Sequence, residues 1–77
     1  MDERRIIVMP LSLLHDGESA TVVKVGGKED TRRFLENLGF VEGTEVTAIS
    51  SNNGNMIIKI RDSRVAINND MAKKIMV

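Results

Sequence analysis

The chain has 77 residues, enough for one domain with a modest core, because a domain of this size buries only roughly 60% of the surface of its unfolded chain. Eleven basic residues balance eleven acidic ones, and a net charge of zero argues against a protein that binds nucleic acid by electrostatic attraction alone. The absence of cysteine excludes disulfides, thiolate metal sites and thiol catalysis, so packing must stabilise the fold.

Residues 1–10 are predicted to form an N-terminal extension, and residues 11–77 a single domain. The segment "RIIV" within the extension is a candidate extra strand. Pro10 and Ser12 interrupt the apolar runs near the N-terminus, so this stretch is a poor signal peptide and is too broken to span a membrane. We therefore expect a cytoplasmic protein that does not insert into the membrane directly.

Local patterns in the first half of the domain predict a turn of helix, a strand and one short helix. "PLSLL" is helical in character, "HDG" ends it, and the alternation in "ESATVVKV" predicts one strand with a wetter face. Gly26 and Gly27 end that strand. The acids Glu29 and Asp30 favour a helix N-terminus nearby, with Gly27 or Asp30 as its cap.

The stretch "RRFLENLGFVEG" predicts an amphipathic helix that ends at a glycine. Phe34, Leu35 and Leu38 share one side at helical spacing, which predicts a core-facing stripe. If Gly39 is the left-handed residue after the helix, Phe40 folds back over Leu35 as in a Schellman motif. The predicted structural residues of the segment are Leu35, Leu38, Gly39 and Gly43.

The second half of the domain reads as strands joined by tight turns. The dipeptide Asn53–Gly54 between "TEVTAIS" and "MIIKIR" predicts an antiparallel hairpin. A turn at Asp62–Ser63 leads to "RVAI", then "NNDMAKK" offers one helical turn capped by Asn68 or Asn69, and "KIMV" is the last strand. About five short strands with one short helix predict a mainly β fold, a small barrel, because closing the sheet removes exposed edges.

The run "RRFLENLGFVEGTEV", set between "LSLLHDGESATVVKV" and "RVAINNDMAKKIMV", resembles the ferrous iron transport protein A (FeoA) family over residues 11–77. Its most specific positions are Arg32, Leu35, Leu38, Gly39, Phe40 and Gly43. The apolar positions of its C-terminal part are Val65, Ala66, Ile67, Ala72, Ile75 and Val77. The resemblance implies a small SH3-like β-barrel.

The same resemblance implies a small accessory or regulatory subunit of ferrous iron uptake. Such a subunit is cytoplasmic and works with the membrane transporter FeoB, which carries its own GTPase domain and would recruit it to the inner face of the membrane. A sister resemblance is to the SH3-like C-terminal domain of iron-dependent repressors. The alternative function is therefore a nucleic-acid-binding or transcription-associated small barrel.

The sequence gives little support for metal binding or catalysis by the protein itself. His15 beside Asp16 is the one pairing that offers a nitrogen ligand, and it falls short of the three or four convergent ligands that a protein metal site needs. We treat these two residues as a weak metal candidate and expect a solvated loop. No nucleophile stands beside a base, and no paired acids suggest a cleft, so we expect neither an enzyme nor a bound cofactor.

Nucleic acid is the alternative partner, because several basic residues could gather on one side of the barrel. The zero net charge and the presence of only two aromatic residues argue against it. Acidic residues lie near each of these cations in the sequence, so a mixed, solvated surface is expected. The cations are Arg32, Arg33, Arg61, Arg64, Lys73 and Lys74.

Protein binding is the remaining class, and the helix offers the predicted surface. Phe40 and Val41 lie just beyond the helix end, where an exposed apolar edge would flank a charged helix face. The predicted partner-binding residues are Arg32, Arg33, Glu36, Asn37, Phe40 and Val41. Weak self-association through an unpaired edge strand of the extension is left open.

Overall fold

A computed structural model of the chain describes residues 8–77. Residues 8–77 begin with a short 3₁₀ helix and continue with six strands and two α-helices. In chain order the elements are the 3₁₀ helix Leu11–Leu13, β1 Ser19–Thr21, β2 Lys24–Val25, α1 Glu29–Asn37, β3 Glu45–Asn52, β4 Asn55–Ile60, β5 Ser63–Asn68, α2 Asn69–Ala72 and β6 Ile75–Met76. The predicted mainly β architecture with short helices is confirmed.

The strands form two antiparallel sheets, one in the order β1-β3-β4-β5 and the other of β2 with β6. The single strand predicted from "ESATVVKV" is wrong, because the chain leaves the first sheet after Thr21 and enters the second at Lys24. At the crossing, the Val22 N–H donates to the Thr44 carbonyl at 2.9 Å, and the Val23 N–H donates to the Met76 carbonyl at 2.8 Å. Val22 is buried, Val23 and Lys24 are both exposed, and Val25 packs against the core, so the alternation of inward and outward side chains shifts by one residue at the break.

The β3–β4 hairpin is the element that local sequence defines most fully. Asn53 and Gly54 both have positive φ, 50° and 81°, as a type I′ turn requires. The predicted inward face of β4 is confirmed, since Met56, Ile58 and Ile60 are at most 2% exposed. A bulge between Ala48 and Ser50 shifts the register of β3 against β4, and bulges of this kind bend a strand and help a sheet to curl.

The next two connections are short. The turn after β4 lies at Arg61 and Asp62, one residue earlier than predicted, because Ser63 already pairs with Ile60. Arg61 takes a left-handed φ of 55°. At the start of α2, the Asn68 side chain accepts a 2.8 Å hydrogen bond from the Met71 N–H, which selects Asn68 from the two predicted caps.

The end of α1 is closed by a Schellman motif, as predicted. The Phe40 N–H donates to the Leu35 carbonyl at 3.0 Å and the Gly39 N–H to the Glu36 carbonyl at 2.9 Å, with Gly39 at a φ of 110°. The predicted start is wrong, because the N-cap is Lys28 rather than Gly27 or Asp30.

One buried cluster between the two sheets and α1 forms the core. Its members come from every strand except β1 and β2, from both α-helices and from the connecting segments, so these elements stabilise one another by packing. They are Leu11, Leu14, Val22, Leu35, Phe40, Val46, Ala48, Met56, Ile58, Ile60, Ile67, Ala72, Ile75 and Val77.

The described end of the N-terminal extension lies beside β6. Met9 and Val77 exchange backbone hydrogen bonds of 2.9 and 2.8 Å, and Pro10 forms an isolated bridge with Met76. The predicted extra strand "RIIV" falls outside the described residues except for Val8. From residue 8 to the C-terminus, neither α-helix is long and apolar enough to cross a bilayer.

Replacement of Gly39 by alanine tests the helix closure. A Cβ at this position would stand 3.1 Å from Ile60 Cδ1, which is held in the core, whereas a Cβ at Gly43 would meet nothing within 4 Å. Both glycines have left-handed backbones. We expect Gly43→Ala to lower the free energy of unfolding by about 1–2 kcal/mol through backbone strain alone. Gly39→Ala should lower the free energy of unfolding by about 1 kcal/mol or more beyond that, because the new Cβ overpacks the core at Ile60.

Urea denaturation of both variants measures this difference. Adding Ile60→Val, which removes the Cδ1 atom, should recover part of the loss in Gly39→Ala and none of the loss in Gly43→Ala. Equal costs for the two glycine substitutions would show that the contact with Ile60 relaxes freely.

Candidate partner-binding surface

The exposed face of α1 carries the four polar residues predicted to bind a partner. Arg32, Arg33, Glu36 and Asn37 are all exposed. Arg33 Nη2 lies 3.7 Å from Glu29 Oε1, but the two side chains are 71% and 68% exposed, so the pair stabilises the helix little. These side chains are therefore not required by the fold and can be used in binding.

Phe40 was predicted to belong to this surface, and that prediction is wrong. Its side chain is 0% exposed and is one of the largest in the core. The cause is the Schellman motif, which turns the chain back so that Phe40 approaches Leu35 rather than solvent. Val41, the next residue, is 36% exposed and remains at the surface.

Phe34 was predicted to lie in the core, and that prediction is also wrong. The sequence placed it in the core with Leu35 and Leu38, but it is 49% exposed while Leu35 is fully buried and Leu38 half-buried. Adjacent helical residues point about 100° apart, so Phe34 and Leu35 cannot both face the centre of the core. Among the strands, α1 packs chiefly against β2, which has only two residues, and the buried stripe is therefore narrow.

An exposed aromatic side chain thus lies among the charged side chains of α1. Its neighbours in sequence are Arg33 on one side and the buried Leu35 on the other. We call the following set the α1 surface: Arg32, Arg33, Phe34, Glu36, Asn37 and Val41. It combines an apolar anchor with charges of both signs, as protein-binding surfaces commonly do.

His15 and Asp16 lie in an exposed loop with local hydrogen bonds. The His15 backbone N–H donates to Glu18 Oε1 at 2.8 Å, and Ser51 Oγ donates to Asp16 Oδ1 at 3.5 Å. Within residues 8–77, no three side chains of His, Cys, Asp or Glu converge so that they could hold a metal ion. His15 and Asp16 remain a weak metal candidate, and no metal site is predicted there.

The six basic residues singled out from the sequence lie on three different parts of the fold. Arg32 and Arg33 lie on α1, Lys73 and Lys74 follow α2, and Arg61 and Arg64 lie at the β4–β5 turn and on β5. Lys59 was not singled out from the sequence, yet it pairs directly with Arg64 across the β4–β5 ladder. Only the register of that hairpin reveals this neighbour.

These features define a class: a small, mainly β, SH3-like domain with an exposed helix face. A family model, the FeoA domain, matches residues 9–77. The chain belongs to the FeoA family.

Several relatives share most of the chain. "Putative Fe(2+) transport protein A" of Methanocaldococcus jannaschii is 32% identical over 68 residues, which are 88% of this chain and 83% of that protein. The crystal structure of an iron uptake regulatory protein, FeoA, is 30% identical with a TM-score of 0.86, covering 94% of this chain and 96% of the other.

Two further solved structures have a similar fold. FeoA of Stenotrophomonas maltophilia in complex with zinc, described as a prokaryotic SH3 domain protein, is 29% identical with a TM-score of 0.78, covering 87% of this chain and 86% of the other. A manganese-dependent transcriptional repressor has a TM-score of 0.84 at 18% identity, covering 91% of this chain and 40% of the repressor. This last likeness shows the fold alone.

The two phenylalanines offer a matched test of their positions. Phe40→Ala should lower the free energy of unfolding by about 3–5 kcal/mol, because it leaves a cavity in the core. Phe34→Ala removes a side chain that is half in water, and should cost about 1 kcal/mol or less. Denaturation of both variants measures the difference, and the milder Phe40→Leu and Phe34→Leu pair keeps it measurable if Phe40→Ala does not fold. Equal costs would contradict the positions described for the two rings.

Proposed function

We propose that this FeoA-family protein is a small cytoplasmic accessory or regulatory subunit of ferrous iron uptake. It acts by binding the membrane transporter FeoB, including its GTPase domain, and is recruited to the inner face of the membrane through that contact. The proposal is supported by the family, by the Fe(2+) transport name of the archaeal relative and by the description of the Stenotrophomonas maltophilia protein as a candidate ferrous iron transport activating factor.

The observation that carries the proposal is the exposure of Phe34 on the α1 surface. The chain has two aromatic residues, and only Phe40 is used by the core. Burying the exposed half of Phe34 against a partner would remove a large apolar area from water, and aromatic side chains ringed by polar ones are frequent anchors of protein interfaces. The charged residues around it would then set the orientation of the partner.

The composition argues for an apolar rather than a proline-rich partner segment. SH3 domains that bind proline-rich peptides use grooves lined by aromatic side chains. This chain has no tryptophan or tyrosine, and its one surface phenylalanine in residues 8–77 lies on a helix rather than in a groove between loops. A helix or loop of the transporter with an apolar side chain opposite Phe34 fits the α1 surface better.

Binding of FeoB from the same organism tests the proposal. The transporter, purified in detergent, is passed over immobilised wild-type protein and two single variants. Phe34→Ala should weaken binding about 30-fold, the equivalent of roughly 2 kcal/mol at an interface anchor. Leu13→Ala is the matched control, because Leu13 is 61% exposed on the 3₁₀ helix outside the α1 surface, and it should bind as wild type does.

The outcomes separate the partner from the surface. If the wild-type protein does not bind FeoB, the proposed partner is wrong. If it binds and Phe34→Ala binds equally well, the α1 surface is wrong while the partner stands. Thermal unfolding of each variant confirms that changes in affinity do not reflect loss of the fold.

A further inference from the structure

The outer face of the β4–β5 hairpin carries three basic side chains close together. Lys59 on β4 is directly opposite Arg64 on β5, and residues opposite each other in an antiparallel pair share a face. Arg61, the first residue of the turn after β4, lines the same cleft as Lys59. All three are exposed. We call Lys59, Arg61 and Arg64 the basic sheet face.

In residues 8–77, no acidic side chain forms a close ion pair with the basic sheet face. Like charges directly opposite each other destabilise a strand pair. Asp62 is adjacent to Arg61 in sequence and Glu45 lines the same cleft as Arg61, but between residues 8 and 77 the one ion pair is that of Arg33 with Glu29. Glu45 therefore lies near the cations of this face without forming a close ion pair with them.

Arg61 adds a second, independent observation. Its φ of 55° lies in the left-handed region, where glycine or asparagine is favoured and a long side chain is uncommon. Nothing in the turn itself requires arginine, since a glycine would relieve the strain. Strained residues of this kind concentrate at functional positions, which suggests that the side chain of Arg61 has a role outside the fold.

The basic sheet face borders an apolar spot. Ile57 precedes Lys59 by two residues on the same side of β4, is 40% exposed and is opposite Ala66. Two shallow clefts lie on the sheet. One of about 450 Å³ is lined by Lys59, Arg61 and the hydroxyl residues Thr44 and Thr47. The other, of about 290 Å³, is lined by Ile57 among uncharged polar residues.

We propose that this face binds an acidic protein segment that carries an apolar side chain. Carboxylates of the segment would pair with Lys59, Arg61 and Arg64, for which the arginine forks are well suited, and the apolar side chain would lie on Ile57 and Ala66. The inference rests on the proposed function, in that the segment would belong to the same transporter. It extends the contact from the α1 surface to the sheet.

An acidic peptide fits this face better than a nucleic acid does. No aromatic side chain is present on β3, β4 or β5 on which a base could stack, since Phe34 and Phe40 lie elsewhere. The exposed Ile57 beside the cations also offers an apolar contact that a phosphate chain does not use.

The first experiment titrates the isotopically labelled full chain with a synthetic peptide, followed by amide NMR spectra. The peptide is a leucine flanked by glutamates, and the control replaces each glutamate by glutamine. Saturable shifts on β4 and β5 around Ile57, Lys59 and Arg64 with the acidic peptide alone support the proposal. No such shifts would overturn it. A single-stranded oligonucleotide or phosphatidylglycerol vesicles that shift the same amides at lower concentration than the peptide would also overturn it.

Charge reversal then separates binding from stability. Lys59→Glu with Arg64→Glu should weaken peptide binding about tenfold. The matched double reversal Arg32→Glu with Arg33→Glu, on α1, changes the net charge equally and should leave peptide binding unchanged.

Arg64→Glu alone should weaken binding yet raise the thermal midpoint by about 1–6 °C, because it converts the repulsive pair with Lys59 into an attractive one. An unchanged or lowered midpoint would contradict the repulsion.

The same variants separate this inference from the proposed function. If wild-type protein does not bind FeoB but the peptide shifts the amide signals of β4 and β5, FeoB is the wrong partner and the basic sheet face stands as a binding surface. If FeoB binds wild-type protein and the Lys59→Glu, Arg64→Glu variant equally well, the sheet is not part of that contact and the inference is overturned while the proposed function stands.

Discussion

The closure of α1 at Gly39 is the constraint on which the rest of the structure depends. The left-handed backbone of Gly39 lets two hydrogen bonds end the helix and turns the chain so that Phe40 enters the core. The helix alone buries only Leu35 fully, so without Phe40 it would have little to hold it against the sheets. The same turn determines where Val41 reaches the surface and where β3 begins. In the larger sheet, β3 lies between β1 and β4.

The sequence predicts this fold well wherever local chemistry decides the structure. Asn53 and Gly54 fold the hairpin because both tolerate positive φ, and Asn68 caps α2 with its own side chain. The prediction fails where tertiary contacts decide. At the break between β1 and β2 the inward side chain passes from Val22 to Val25. The sequence does not show this shift, because Val23 is equally apolar, and the pairing partners Thr44 and Met76 reveal it.

The candidate surfaces were harder to predict than the fold, for two physical reasons. Adjacent apolar residues on a short helix give the same pattern whichever of them faces the core, and the narrow contact with β2 selects Leu35 over Phe34. A turn at Asp62 and Ser63 would also have placed Arg64 opposite Arg61. The observed turn, one residue earlier, places it opposite Lys59. A shift of one residue in a turn therefore decides which charges meet, although it hardly changes the fold.

The two proposed binding surfaces share no residue with the buried core, so substitutions on them test binding largely apart from stability. Phe34, Lys59 and Arg64 lie on elements whose opposite sides are buried, so each can change without opening a cavity. Arg61 is the exception, because its side chain belongs to the basic sheet face while its strained backbone forms the turn between β4 and β5. Glycine at this position would relieve the backbone strain but would remove one positive charge from the basic sheet face. That conflict is the strongest physical reason to propose that the sheet has a role in binding.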